Sequence, residues 1–213
     1  MVVTISRQLA SGGAYIGQRV AQRLGYRYVD REILTQAAAA LGVEDAHGLE
    51  HLEEQAPGWW DRIARVIGVG PPDAPFVPPP PPDESTVLEA ETRIIRAIAD
   101  REDAVIVGRG APHLLQGRDH VFRVFIHAPK DYRTDEVTRL YQLGAADARA
   151  MVERSDRNRA RFVQSLTGRA WTDACLYDLT VDTSRIARDL VVDLLVSAVN
   201  GRRPPSAHPS GAS

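Results

Sequence analysis

Val2-Val3-Thr4-Ile5-Ser6-Arg7-Gln8-Leu9-Ala10-Ser11-Gly12-Gly13-Ala14-Tyr15-Ile16-Gly17 is the stretch on which the reading of this chain turns. A β-branched run feeds a Ser/Gly turn. The turn opens a helix whose apolar positions Ile16, Val20, Ala21 and Leu24 share one face. That layout points backbone N–H groups and a helix N-terminus at an anion. The phosphate-loop signature G-x-x-x-x-G-K-[ST] includes a lysine, and here Gly13 and Ala14 stand near its place. The one lysine of the chain, Lys130, is far away in sequence. Two readings follow. Either the loop handles phosphate with arginine and backbone alone, or it no longer handles phosphate.

Four more short apolar runs resemble the first strand: Arg27–Val29, Ala104–Val107, Val121–Ile126 and Leu179–Val181. Between them lie segments with apolar residues at helical spacing, such as Val87, Leu88, Ile94, Ile95 and Ile98 behind a Thr86-x-x-Glu89 capping box. Further helices are predicted at about 131–143, 146–165 and 186–199, with Gly144 and Gly168 as stop signals. Short strands alternating with helices predict an α/β fold, a mostly parallel sheet covered on both faces.

The length of 213 residues suits one domain, about 1–200, with a core that needs no staples. An insertion is expected at about 42–85, between the second and third strands. It includes the Pro-rich run 71–82, which favours extended polyproline II. Two readings of that run are a semi-rigid connector and a docking site for a proline-reading partner. Trp59-Trp60 is expected to cover an apolar face of the insertion, and 201–213 to form a disordered tail.

A net charge of −2 gives no footprint for nucleic acid. No run reaches about 18 apolar residues, so no membrane span is expected, and the N-terminus does not read as a signal peptide. Cys175 is the single cysteine, which excludes an intramolecular disulfide and a Cys-rich metal site; it is expected to be a small packed residue. These features fit a cytoplasmic setting. His113, His120 and His127 have no ligand spacing and are read as packing or surface residues.

Every cation except Lys130 is arginine, the side chain best suited to gripping phosphate oxygens in a bidentate fork. In α/β sheets ligands bind beyond the carboxyl ends of strands. Ser6 sits at such an end, with Arg7 beside it; Gly12 and Gly13 allow close backbone approach, and Ser11 is placed to donate to a phosphate or a metal-bound water. Val107-Gly108-Arg109-Gly110 puts a second guanidinium at the same edge. A third candidate is Glu153-Arg154-Ser155-Asp156-Arg157-Asn158-Arg159-Ala160-Arg161, with Asp156 and Arg159 on one helical face. An arginine-bearing segment closing over a polyphosphate is what phosphoryl transfer needs, because such chemistry depends on positioning and charge neutralisation. Asp30 reads either as the N-cap of a helix starting at Arg31 or as a group that orients substrate or metal. Arg133 is a further candidate phosphate contact.

Taken together and in order, several pieces resemble the cytidylate kinase-like family. They are Ile5-Ser6-Arg7-Gln8 with Ser11-Gly12-Gly13, Tyr28-Val29-Asp30-Arg31-Glu32-Ile33-Leu34, Val105–Gly110, Phe125–Pro129, and Tyr177-Asp178-Leu179 with Asp182-Thr183-Ser184. The resemblance covers about 2–199 and matches the proline-rich segment least. It implies a three-layer P-loop kinase fold with a five-stranded parallel sheet, a helical insertion and an arginine lid at about 145–170. It also implies a small-molecule nucleotide substrate, with ATP and Mg²⁺ as cofactors. Ser11, Gly12 and Gly13, with Ser6 and Arg7, would cradle the phosphates of ATP. Asp182 and Thr183 would lie near the nucleotide. Arg109 would hold the acceptor's phosphate, with Asp30 and Arg31 on the acceptor side. Arg133, Arg154, Asp156 and Arg159 would serve transfer, and Ser11 is the candidate side chain for the metal.

This chain departs from the pattern of authentic cytidylate kinases in four places. Gly-Lys-Gly-Thr is replaced by Gly13-Ala14-Tyr15, and Gly-Arg-Asp reads Gly108-Arg109-Gly110. Val152 stands where a lid arginine is expected, with Arg154 nearby, and Asp30-Arg31-Glu32 replaces a serine-rich motif. Three functions therefore stay open: phosphoryl transfer from ATP to a monophosphate with CMP or dCMP leading, a non-catalytic nucleotide-binding module, and a kinase for a non-nucleotide acceptor. The first predicts that Arg109→Ala lowers turnover far more than stability.

Overall fold

The computed structural model describes residues 1–30, 33 and 84–202. Arg31, Trp59-Trp60, the proline-rich run, nearly all of the expected insertion and the tail beyond 202 lie outside the described residues. Within this part, β1 (Val2–Arg7), β2 (Arg27–Val29), β3 (Ala104–Val107), β4 (Val121–His127) and β5 (Leu179–Asp182) form one sheet in the order β2-β3-β1-β4-β5. Every pairing is parallel. All five strands fall on the runs read from the sequence, because β-branched stretches of this length suit a strand buried on both faces.

Strand alternation divides the core in two. Val3, Ile5, Val105 and Val107 face α1 (Gly13–Leu24) together with Val191, Val192 and Leu195 of the last helix. Val2, Ala104 and Ile106 face the opposite way, onto Ile94, Ile95 and Ile98 of α2 (Glu84–Arg101) and onto Ala111 and Leu115 at α3 (Ala111–Leu114). Helix α2 begins at Glu84, two residues before the expected cap Thr86 and inside the last part of the expected insertion. The chain continues through α4 (Lys130–Tyr141), α5 (Ala145–Thr167), a 3₁₀ turn (Ala174–Leu176), β5 and α6 (Arg188–Asn200).

Gly168, left-handed at φ 69°, ends α5 as expected. Gly144 does not end α4. Gln142 takes the left-handed C-cap position at φ 53°, and Gly144 becomes the N-cap of α5. Cys175 is exposed rather than packed, since its 3₁₀ turn buries Leu176 instead. His113 meets the Tyr177 ring edge-on, His127 stacks on Phe125, and His120 bonds the Ala99 carbonyl, which are packing and surface roles.

Register fixes the site. Ile5 pairs with Val107 and Arg7 with Ile126, so Ser6, Arg7, Gly108 and His127 arrive at one carboxyl edge of the sheet. Leu9 and Ala10, just past β1, pack on Val137, Ala148 and Val152, where α4 and α5 meet. The α4–α5 hairpin is thereby seated on the loop that follows β1.

Candidate active site

The loop Gln8–Gly12 is held rigidly to the end of the sheet. The Gln8 amide donates to the Ile126 carbonyl at 3.0 Å, and the Gln8 side chain accepts from the Ala128 amide at 3.1 Å. Ser11 is fully buried, and its hydroxyl is directed at the carbonyls of Gln8 (2.9 Å) and Ile126 (3.2 Å). Thr183 Oγ1 donates to the Ser11 carbonyl at 2.9 Å. Ala10 and Gly12 turn the chain through left-handed backbone, at φ 60° and 80°. The first bond of α1 runs from Ile16 N to Gly12 O, and no side-chain hydrogen bond caps the helix. The amides of Gly13, Ala14 and Tyr15 therefore precede the helical ladder, and the positive end of the helix dipole meets no capping side chain among the described residues.

Two arginines flank the glycines. The Arg188 side chain crosses Gly12 so closely that an added Cβ there would stand 2.6 Å from Nε. On the other side the stem of Arg7 occupies the space a Cβ of Gly13 would fill, 2.5 Å from Arg7 Cβ. The Arg7 guanidinium lies against Gly108, where a Cβ would meet Nη1 at 1.8 Å. Arg188 is tied to α4 by a 2.6 Å bond to Glu136, which also accepts from Arg139. The Arg139 hydrogen bond, resisted by burial and reinforced by Arg188, holds the Glu136 carboxyl below its ordinary value.

Arg159, on α5, completes the positive cluster. Burial comes first, and the nearby Arg7 adds to it; Asp156 works the other way and Arg133 again in the same sense. The net effect pushes the Arg159 guanidinium down to about 10. Its Nη1 donates to the Ser155 hydroxyl. Arg133 is 3 % exposed and fully engaged: Nε donates to the Ala128 carbonyl, and Nη1 and Nη2 form a fork on Asp156 at 3.0 and 2.8 Å. Arg133 and Asp156, read separately as phosphate contact and lid residue, are thus each other's partner. They hold α4 to α5 and bring Arg159, one turn on, beside Arg7.

Arg109 stands between two glycines, all three with positive φ (90°, 52° and 69°). Its guanidinium pairs with Glu91, 1 % exposed, and lies 5.8 Å from the centre of the Phe162 ring, three residues beyond Arg159. Its Nε is buried with no hydrogen-bond partner among the described residues. Because Arg109→Ala would strip a buried carboxylate of this cation, the expectation that such a change spares stability is not kept.

The other expected positions divide clearly. Asp30 caps the turn that follows β2, accepting from the Ile33 amide at 3.2 Å. It also holds the hydroxyl of Tyr28; burial and then the Asp30 charge push Tyr28 up to about 12 against the influence of Arg7. Ser6 meets the Tyr177 hydroxyl on the sheet face away from α1. Asp182 accepts from the amide and hydroxyl of Ser184, and Thr183 braces the loop. Val152 is buried against Val137, and Arg154 stands exposed, about 200° around the helix from Asp156.

Two participants escaped the sequence reading although each carried a signal. Glu91 interrupts the apolar row of Ile94, Ile95 and Ile98. Arg188 places a cation at a helix N-terminus, where the dipole opposes it. Among the described residues, no group of three His, Cys, Asp or Glu could hold a metal ion. The Ser11 hydroxyl, committed to two carbonyls, does not fit the metal role expected of it. The uncapped amides and arginines fit phosphate oxygens. No helix among the described residues is long and apolar enough to cross a membrane.

The comparisons agree with this architecture. A cytidylate kinase from Methanopyrus kandleri is 24% identical over 209 residues, 94% of this chain and 93% of its own. A solved structure of an uncharacterized protein from Eubacterium ventriosum covers 95% of this chain and 99% of its own, with a TM-score of 0.69 and 19% identity. Shikimate kinase from Bacteroides thetaiotaomicron covers 94% and 98%, with a TM-score of 0.52 and 13% identity, a likeness of fold. The fold is that of the P-loop kinases, and the family and fold together support a kinase of a nucleotide or other small molecule. The family model of the cytidylate kinase-like proteins matches residues 2–185, and the chain belongs to that family.

Proposed function

We propose that this protein transfers the γ-phosphoryl group of ATP to a nucleoside monophosphate, with CMP or dCMP as the leading acceptor. The observation that carries the reading is the meeting of uncapped amides at Gly13, Ala14 and Tyr15 with Arg7 and Arg159 at one sheet edge. The relative named cytidylate kinase supports the choice of acceptor.

In the proposed reaction an anionic oxygen of the acceptor's phosphate attacks the γ-phosphorus. The bond to the β–γ bridging oxygen breaks, and ADP leaves. The acceptor oxygen is already anionic, so no side chain has to remove a proton. The work left to the protein is to bring two polyanions together and spread their charge. The loop amides would receive the donor's phosphates, Arg7 and Arg159 the transferring group, and Arg109 the acceptor's phosphate. Arg133 and Asp156 are positioning residues, because each is satisfied by the other. Mg²⁺ would neutralise charge on the β- and γ-oxygens; no side chain described here is assigned to hold it.

A coupled ADP-release assay with CMP, dCMP, UMP, AMP and GMP, beside calorimetry of ATP, tests the reading. Acceptor-dependent ADP release is the expected result. ATP binding with no turnover on any monophosphate would replace it with the non-catalytic reading, and turnover only when non-nucleotide small acceptors are added to the panel with the third.

A further inference from the structure

In the motif G-x-x-x-x-G-K-[ST], the lysine's place falls on Ala14 if the second glycine is Gly13 and on Gly13 if it is Gly12. Gly12 is the N-cap of α1, and with it as the second glycine the motif starts at residue 7. Arg7 then occupies the place of the first glycine, Gly13 that of the lysine and Ala14 that of the serine or threonine. The chain has a cation where the motif has none and no side chain where the motif has its cation. The two positions touch, since a Cβ on Gly13 would lie 2.5 Å from Arg7 Cβ and 2.9 Å from Cγ. Only one of them can carry a long side chain while the loop keeps its path. A second glycine makes room for the head of that side chain: Gly108, at φ 90°, lies where a Cβ would meet the Arg7 guanidinium at 1.8 Å. Gly108 follows β3, which neighbours β1 in the sheet.

We propose that residues 7 and 13 have exchanged roles, so that Arg7, reaching in from the end of β1, supplies the phosphate-binding cation that the motif supplies from the first turn of the helix. The ligand is the polyphosphate tail of the donor, and the inference rests on the reading of this edge as a phosphate site. Two further observations agree with it. Arg7 lies close enough to Arg159 to disfavour the charge of Arg159, a repulsion that a polyanion bound beside it would relieve. The hydroxyl that would accompany the lysine is also gone, at Ala14, and the Ser11 hydroxyl does not replace it because it serves the Gln8 and Ile126 carbonyls.

The exchange predicts a specific rescue. Binding of inorganic tripolyphosphate is measured by calorimetry on the full chain, with thermal unfolding of every variant alongside. Arg7→Met, which keeps the stem and loses the charge, should weaken binding about 100-fold, the scale of a lost charged clamp, and Arg7→Lys should retain most of it. Gly13→Lys alone should bind poorly or unfold, because its side chain collides with Arg7. The double variant Arg7→Gly/Gly13→Lys restores the regular motif. It should bind at least tenfold tighter than Arg7→Gly and melt above Gly13→Lys. Wild-type affinity in Arg7→Met, or a double variant no better than Arg7→Gly, overturns the exchange. A wild-type protein that does not bind tripolyphosphate overturns both the exchange and the kinase reading. A successful rescue in a protein that transfers phosphoryl to no acceptor upholds the exchange and removes only the kinase reading.

Discussion

The fork between Arg133 and Asp156 makes a prediction whose sign depends on which partner is removed. Arg133 is 3 % exposed and Asp156 23 %. Asp156→Ala leaves a guanidinium with two unpaired donors in a place water hardly reaches, and breaking a buried pair from that side costs about 3–5 kcal/mol. Arg133→Met keeps most of the stem's packing and leaves a carboxylate that water and Arg159 both reach. Its main loss is the bond to the Ala128 carbonyl, so it should cost about 1–2 kcal/mol. The double variant has no buried charge and should be more stable than Asp156→Ala alone. Urea unfolding at pH 7, followed by far-UV circular dichroism, measures all three. For a chain of this size the Asp156→Ala loss corresponds to a fall in Tm of about 6–20 °C. An Asp156→Ala cost under about 1 kcal/mol, or a larger cost for Arg133→Met, would refute the assignment of this pair to positioning.

The remaining predictions concern the cluster and its surroundings. Burial and Arg7 place the Arg159 guanidinium at about 10, below its ordinary value, so its charge costs stability at neutral pH. Arg159→Met should therefore raise Tm in the absence of ligand and abolish the further rise that tripolyphosphate gives the wild type; a lower Tm with the ligand shift intact would contradict this. Gly108→Ala should displace Arg7 and weaken tripolyphosphate binding more than tenfold. Gly25→Ala, at φ 70° with nothing within 4 Å, should cost only about 1–2 kcal/mol of backbone strain and leave binding unchanged. Equal binding losses in the two variants would refute the role given to Gly108. Burial, with help from Arg123, holds the His113 imidazole below its ordinary 6.5. The unfolded chain then takes up a proton that the folded one refuses, and stability falls as pH drops from 6.5 through the folded value. His113→Phe should flatten that part of the pH–stability profile, and an unchanged slope would show that another group causes it.

The sheet was legible because its strands are short β-branched runs buried on both faces, a pattern that local sequence fully expresses. The end of α4 was not, since Gln142 takes a left-handed conformation that propensity assigns to Gly144. At the site, residue types were readable and pairings were not. That arginines gather at the edge of the sheet follows from the positions of Arg7 and Arg109 at or after the end of a strand and of Arg159 on α5. That Arg109 would close on Glu91, 18 residues earlier, and Arg133 on Asp156, 23 residues later, depends on how helices cross. A hydroxyl such as that of Ser11 looks equally suited to a ligand or to a carbonyl until the neighbouring strand is in place. Glu91 and Arg188 show what a sequence can still disclose: charges where the local environment opposes them are held there by a partner.

The most direct test of the whole account is formation of a nucleoside diphosphate from ATP and CMP by the wild-type protein, followed by ³¹P nuclear magnetic resonance. The account predicts equimolar CDP and ADP appearing as ATP and CMP disappear. Unchanged ATP and CMP at high enzyme concentration, repeated with every other nucleoside monophosphate, would contradict the claim that arginines and main-chain amides at this edge carry out phosphoryl transfer.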